Sequence, residues 1–178
     1  MTTTLRSNIE VRLGWSWRDR IGPFTVIDDN RLLFNKDLSD GVETWQADTV
    51  WHAADVSLET GQFMTLDLSA LGQSLFGETI VIPLAKVKAI LIVNKSTAAG
   101  ASLLVGGSGV DEWSAPFGML GDTVRVMPGS PLLLANVRDG WEVEPGYEAL
   151  KLEAVGDDVV FDIAILGTSA TNGGSPSA

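Results

Sequence analysis

The 178-residue sequence contains no cysteine, one histidine and one tyrosine. Without cysteine the chain can form no disulfide, no thiolate nucleophile and no cysteine-ligated zinc or iron–sulfur site. A single histidine excludes metal sites built from two or more histidines. A serine–histidine–aspartate triad would have to use His52, which lies in a predicted strand, and no Gly-x-Ser-x-Gly motif is present. We therefore predict a structural or interface role for His52.

Basic residues are also scarce, with 12 Lys and Arg against 23 Asp and Glu and a formal net charge of −11. Nucleic-acid binding needs clustered basic side chains, so this balance argues against it. The longest uncharged apolar run, around residues 89–93, is too short to cross a bilayer as a helix. No basic segment followed by an apolar segment opens the chain. We expect a soluble protein that is made in the cytoplasm and has no membrane partner.

The most continuous apolar segment spans residues 84–94. It follows Pro83, alternates around Lys86 and Lys88, and then becomes β-branched and aliphatic up to Asn94. This pattern predicts a strand that is buried on both faces. The two lysines should mark the place where the strand emerges from solvent.

Many other short segments have strand character, and glycine-rich or proline-rich turns separate them. This spacing favours an all-β, jelly-roll-like β-sandwich over a parallel α/β sheet. One short helix is expected where Leu68, Leu71 and Leu75 fall at helical spacing. We expect the sandwich to cover residues 37–167 and a flexible tail to cover 168–178. The predicted strands after the short helix are 79–82, 87–93, 102–105, 123–127, 132–137, 141–143, 149–154 and 159–166.

Residues 1–36 differ from the rest because they contain five arginines and two tryptophans. Alternation from Ile9 to Leu13 predicts a short strand that Gly14 ends, and residues 24–27 should pair with 31–34 across a turn at 28–30. These could be edge strands of the main sheet or an arm that docks on a partner. Trp and Arg are the residue types most enriched in interface hot spots. The predicted partner interface consists of Arg6, Arg12, Trp15, Trp17, Arg18 and Arg20.

Several paired carboxylates lie in predicted turns, at residues 28–29, 111–112 and 157–158. Such loops can bind calcium, although none has the spacing of an Asp-x-Asp-x-Asp-Gly loop. Glu142, Glu144 and Glu148 form an acidic rim in which a glycosidase would need two carboxylates at a defined separation, and nothing identifies such a pair. The glycine-rich segment 106–109 has no following lysine or helix and is not a phosphate loop. We assign no catalytic residue, metal site or cofactor.

The six tryptophans are numerous for a chain of this length. We expect most of them in the core, where large aromatic side chains contribute most to packing. The alternative is a carbohydrate-binding platform with tryptophans exposed at loop tips.

Segments 65–71, 86–94, 103–106, 126–134 and 160–167 resemble, in pattern and order, the small jelly-roll decoration (cement) and head-fibre-base proteins of tailed bacteriophages. Pro128-Gly129-Ser130-Pro131 belongs to the fourth of these segments. The resemblance covers residues 45–167, about two-thirds of the chain, and leaves residues 1–36 outside. It implies a non-enzymatic virion protein, a homotrimer that stands on the major capsid protein and is assembled in the host cytoplasm. The alternatives are a carbohydrate- or receptor-binding module of a phage fibre, and a hydrolase that uses paired carboxylates.

Overall fold

The computed structural model describes residues 4–75 and 77–170, and within this part of the chain there is no helix. The described residues form thirteen strands. In chain order they are β1 Ser7–Ile21, β2 Phe24–Leu38, β3 Thr49–Leu58, β4 Phe63–Asp67, β5 Leu71–Leu75, β6 Glu78–Ile82, β7 Lys86–Asn94, β8 Ala101–Gly106, β9 Thr123–Val126, β10 Pro131–Ala135, β11 Trp141–Glu142, β12 Ala149–Gly156 and β13 Val159–Thr168.

Eight of these strands form two antiparallel sheets, in the orders β3-β13-β7-β10 and β4-β12-β8-β9. Along the chain, the first of the eight pairs with the last, the second with the seventh, the third with the sixth and the fourth with the fifth. This nested pairing is the jelly-roll arrangement of two Greek keys. The predicted all-β, jelly-roll-like sandwich is therefore confirmed. The two-residue strand β11 extends the first sheet beside β7.

The core lies between the two sheets and follows the two-residue period of the strands. On β13, Phe161, Ile163 and Ile165 point inward, and on β12 Leu150 and Leu152 meet them from the opposite sheet. The intervening residues of both strands are only half-buried. This alternation identifies one solvent-facing side for each sheet.

The central strand β7 corrects two predictions. Ile90 and Ile92 are fully buried, but Leu91 between them exposes 42% of its surface, so the strand is not buried on both faces throughout. Lys88 is 1% exposed and does not mark an exit into solvent. Its Nζ donates to the carbonyl of Arg138 at 2.7 Å, which makes the buried position tolerable. Burial, with a smaller effect of Lys86, lowers the pKa of Lys88.

The predicted helix around residues 68–75 is wrong. Leu71–Leu75 is a strand that pairs with Glu78–Ile82 around the turn at Gly77. Three leucines span only two helical turns, too few to nucleate a helix, and the partner segment is rich in β-branched residues. The indole N–H of Trp51 also donates to the carbonyl of Gly72 at 2.9 Å, which ties the hairpin to β3.

The first residues of the predicted C-terminal tail are held by the sandwich. Thr168, where the flexible tail was predicted to begin, is the buried last residue of β13. The backbone N–H of Ser169 donates to the Asp48 carboxylate at 2.7 Å. Residues 171–178, the rest of the predicted tail, lie outside the described residues. Across 4–75 and 77–170 no helix has the length and hydropathy to cross a membrane.

Candidate partner interface

Strands β1 and β2 form a two-stranded sheet of their own, which we call the arm. Each strand has 15 residues, and they pair without interruption from Ser7 with Leu38 to Ile21 with Phe24. At ~3.3 Å per residue the arm is roughly 50 Å long. Gly22 has φ +62° and precedes Pro23, so glycine stands at the first turn position, as in the type II′ turns that connect tight hairpins. Residues 7–38 are thus not edge strands of the sandwich.

The arm corrects the local prediction for residues 14–34. Gly14 does not end the strand but pairs with Arg31, and Asp28, Asp29 and Asn30 lie within β2 instead of forming a turn. Turn-forming side chains are overridden here because the full-length pairing satisfies the backbone of both strands. Asp28 also accepts a hydrogen bond from the indole N–H of Trp15 on the opposite strand, at 3.0 Å.

The register divides the arm into two chemically different faces, because directly paired residues share a face. One face, which we call the apolar face, carries almost all of the large hydrophobic side chains. The opposite face, the arginine face, carries four arginines together with Glu10, Asp29 and Asp37. Polar side chains on the apolar face are Ser7, Asp19, Asp28, Asn30 and Lys36, and its hydrophobic side chains are Ile9, Val11, Leu13, Trp15, Trp17, Ile21, Phe24, Val26, Leu32, Phe34 and Leu38.

The six residues of the predicted partner interface are therefore divided between surfaces. Trp15 and Trp17 lie on the apolar face. Arg12, Arg18 and Arg20 lie on the arginine face with Arg31, which the prediction omitted. Arg6 precedes the arm and lines a groove of about 540 Å³ beside Lys36 and Trp45 at its base.

Among the described residues, the body anchors the arm at its base. Ile9 and Leu38 are buried in a small cluster with Ala47, Ala89 and Leu166 of the body. Beyond this cluster nine side chains of the apolar face each expose between 42% and 73% of their surface. An exposed apolar surface of this size and continuity marks an interaction site. These nine are Val11, Leu13, Trp15, Trp17, Ile21, Phe24, Val26, Leu32 and Phe34.

The outer face of the first sandwich sheet continues this apolar surface. Leu91 pairs with both Ala164 and Leu133, and Leu166 pairs with both Val50 and Ala89, so the side chains share one face. A groove of about 300 Å³ lies between this sheet patch and the first residues of β1. Sequence reasoning missed the patch because its leucines belong to runs that indicate complete burial. The sheet patch comprises Val50, Ala89, Leu91, Leu133, Ala164 and Leu166.

The tryptophans are less buried than predicted. Trp51 and Trp113 are in the core, and Trp141 is half-buried with its ring edge-to-face against Trp113 at 6.1 Å. Trp15, Trp17 and Trp45 are exposed. The ring of Trp45 is contacted by the ammonium of Lys36, 4.4 Å from its centroid.

Two carboxylates of the predicted acidic turns, Glu112 and Asp158, accept hydrogen bonds from the backbone of other loops. Glu112 is buried, and its carboxylate accepts the backbone N–H groups of Gly121 at 2.8 Å and Gly109 at 3.1 Å, which joins two loops. Asp158 accepts the N–H of Thr60 at 2.9 Å. In the described part of the chain, no three His, Asp or Glu side chains converge as a metal site would require. His52 is exposed on β3 and lines a groove beside Gln73.

No family model, curated protein or solved structure matches this chain. Among the described residues, the two strands of the arm carry half of the exposed large hydrophobic side chains, 11 of 22.

Proposed function

We propose that this chain is a non-enzymatic structural protein of a tailed-bacteriophage particle. It attaches as a homotrimer to the major capsid protein and thereby decorates and stabilises the capsid. Its place is the virion, and its assembly takes place in the host cytoplasm. The resemblance of its strand pattern to decoration and head-fibre-base proteins supports this proposal, as does the jelly-roll pairing of its eight sandwich strands.

The observation that carries the proposal is the arm. A body of two packed sheets supplies a rigid base, and from it projects a hairpin whose exposed side chains include two tryptophans and four arginines. These residue types dominate the energetics of protein interfaces. Guanidinium groups also form paired hydrogen bonds with carboxylates, so the arginine face is suited to an acidic protein surface.

Decoration would stabilise the shell by mass action. A protein that binds the assembled shell and not its free subunits shifts the equilibrium toward assembly. An oligomer that presents several arms gains avidity, because the second and third contacts become intramolecular. The proposal thus requires both self-association and a docking surface, and no catalytic group.

The test uses capsids, stripped of this protein, of the phage that encodes the chain. Wild-type protein should co-sediment with them and raise their melting temperature. Replacing both Arg18 and Arg20 by glutamate should weaken binding by at least about tenfold, which corresponds to ~1.4 kcal/mol. The control is Arg125→Glu on the exposed surface of β9, which should bind as wild type. Failure of the wild-type protein to bind or stabilise these capsids would refute the proposal.

A carbohydrate- or receptor-binding module is the second candidate, and the exposure of Trp15, Trp17 and Trp45 favours it. Sugar rings stack on exposed aromatic faces. Against it, the ring of Trp45 is already contacted by Lys36 and Trp113 is 1% exposed, whereas Tyr147 is 55% exposed in a loop of the body. A glycan array that shows saturable binding abolished by Trp17→Ala would favour this candidate over decoration.

A further inference from the structure

We infer that the apolar face of the arm is covered by further copies of the same chain, which leaves the arginine face free for the capsid. This inference rests on the oligomeric attachment proposed above and names the surface through which the copies meet.

The arm requires a layer that covers its apolar face. A two-stranded hairpin alone is at best marginally stable in water and needs a third strand, a helix or another sheet against its hydrophobic face. Among the described residues, the body touches the arm substantially only at its base, through Ile9 and Leu38. More than ten further residues on each strand therefore project without a supporting layer.

The exposed surface of the apolar face has the size of a protein–protein interface. Nine large side chains expose about half of their area, and at ~200 Å² per side chain this amounts to roughly 900 Å² on one chain. A standard protein–protein interface buries about 800 Å² on each partner. The apolar face alone is therefore large enough for a stable association between copies.

The apolar face is continuous with the sheet patch, and the arm differs from the body in charge. The apolar face continues from the arm through Ile9 onto the sheet patch. The sheet patch has no charged member. Residues 7–38 carry five basic and five acidic side chains, whereas residues 39–178 carry six basic and 18 acidic ones. Two bodies repel each other, but the arms are neutral as a whole and can approach. The apolar face itself carries Asp19, Asp28 and Lys36, so one carboxylate more than ammonium groups, and Asp28 is hydrogen-bonded to Trp15. Identical chains therefore repel less at the arm than at the body.

The resulting packing is that of a small β-sandwich. Two apolar faces in contact lie ~10 Å apart with interdigitated side chains, as do packed sheets within a domain. In this arrangement Arg12, Arg18, Arg20 and Arg31 all point away from the contact. A capsid protein is the less favoured occupant, because it would leave the arginines without a role in attachment.

The test compares two adjacent leucines of β2. Leu32 lies on the apolar face and is 67% exposed, while Leu33 lies on the arginine face and is 50% exposed. Leu32→Glu and Leu33→Glu have similar effects on strand propensity and charge, but only Leu32→Glu places a carboxylate in the proposed interface. Light scattering after size-exclusion chromatography should show an oligomer for the wild type and Leu33→Glu. Leu32→Glu should dissociate at least about tenfold more readily.

A second measurement remains informative if Leu32→Glu disturbs the arm. The chain has no cysteine, so Leu32→Cys and Leu33→Cys each introduce a single thiol. A bis-maleimide should cross-link Leu32→Cys between copies and leave Leu33→Cys mainly uncross-linked. Equal cross-linking of the two variants would overturn the inference.

The outcomes separate this inference from the proposed function. A monomeric wild type that binds capsids through Leu32 overturns the inference and leaves the decoration role intact. An oligomer that Leu32→Glu does not weaken also overturns it. An oligomer that depends on Leu32 but binds no capsid supports the inference and refutes the decoration role.

Discussion

Trp113 is the aromatic centre of the sandwich, and its removal should be among the most destabilising single changes in the body. The side chain is 1% exposed, and its indole N–H donates to the carbonyl of Glu142 at 2.8 Å. Its ring lies edge-to-face against Phe117 at 6.4 Å and Trp141 at 6.1 Å. Truncation of a buried Trp to Ala costs about 3–5 kcal/mol. Loss of two aromatic pairs adds about 0.5–1.5 kcal/mol each.

Trp113→Ala should therefore lower the free energy of unfolding by about 5 kcal/mol, a large part of the 5–15 kcal/mol available to a domain. Trp113→Phe keeps a ring but loses the N–H donor, and should cost about 1–3 kcal/mol. Trp45→Ala is the control, because Trp45 is 41% exposed and its contact with Lys36 is worth only about 0.5–1 kcal/mol. Urea unfolding followed by far-ultraviolet circular dichroism measures all three without depending on tryptophan emission. A loss below about 1 kcal/mol for Trp113→Ala would refute this account of the core.

Two further predictions concern particular backbone and ionic contacts. Gly156 and Gly61 both have positive φ, but only at Gly156 would a Cβ collide with the carbonyl oxygen of Gly100. The free energy of unfolding of Gly156→Ala, measured in urea, should therefore be lower than that of Gly61→Ala by about 1–3 kcal/mol. Equal losses in the two variants would contradict this geometry. The pKa of Asp162 is lowered because its carboxylate accepts the backbone N–H of Asp55 and lies beside Lys95. The stabilising contribution of this carboxylate is therefore present above the ordinary aspartate pKa of about 3.9, and it is lost as the pH falls through the lower pKa of the folded state. Asp162→Asn should accordingly show a flatter loss of thermal stability than the wild type below about pH 4, and parallel profiles would show that Asp162 does not contribute to acid unfolding.

The strands of the sandwich are predictable from the sequence because their apolar period and the turn residues between them indicate the same boundaries. Residues 159–165 alternate inward and half-buried positions, and the preceding Gly156 takes the positive φ that its turn requires. The same agreement between apolar period and turn chemistry predicts most strands after residue 79 to within two residues. The eight-strand order has no such local signal, because its outer pairs join the first strand of the sandwich to the last and the second to the seventh.

Other features depend on contacts between distant residues and have no local signal. Lys88 is buried because a carbonyl 50 residues away, that of Arg138, accepts its ammonium N–H. Gly14 and Asp28 look like turn residues but belong to strands, since the pairing of β1 with β2 over 15 positions decides their conformation. Leu91 lies within an apolar run and is nevertheless exposed, because its side chain lies on the outer face of the sheet, which the second sheet does not cover.

The residue types of the candidate interface can be predicted from the sequence, but their distribution between the two faces of the arm cannot. Trp15, Trp17 and the arginines are recognisable as interface residue types from the sequence alone. Their division between two faces depends on the register, and a shift by one residue would mix tryptophans with arginines on each face. The uninterrupted pairing and the turn at residues 22–23 set this register.

The structure of the arm links its two proposed contacts to each other. Its apolar face needs a cover for the hairpin to persist, and only a persistent hairpin holds Arg12, Arg18, Arg20 and Arg31 on one surface. Association between copies thus organises the arginine face as well as multiplying it. High salt should separate these contacts, because it screens arginine–carboxylate pairs while leaving apolar burial intact. An oligomer released whole from the capsid at high salt is the behaviour that this coupling requires.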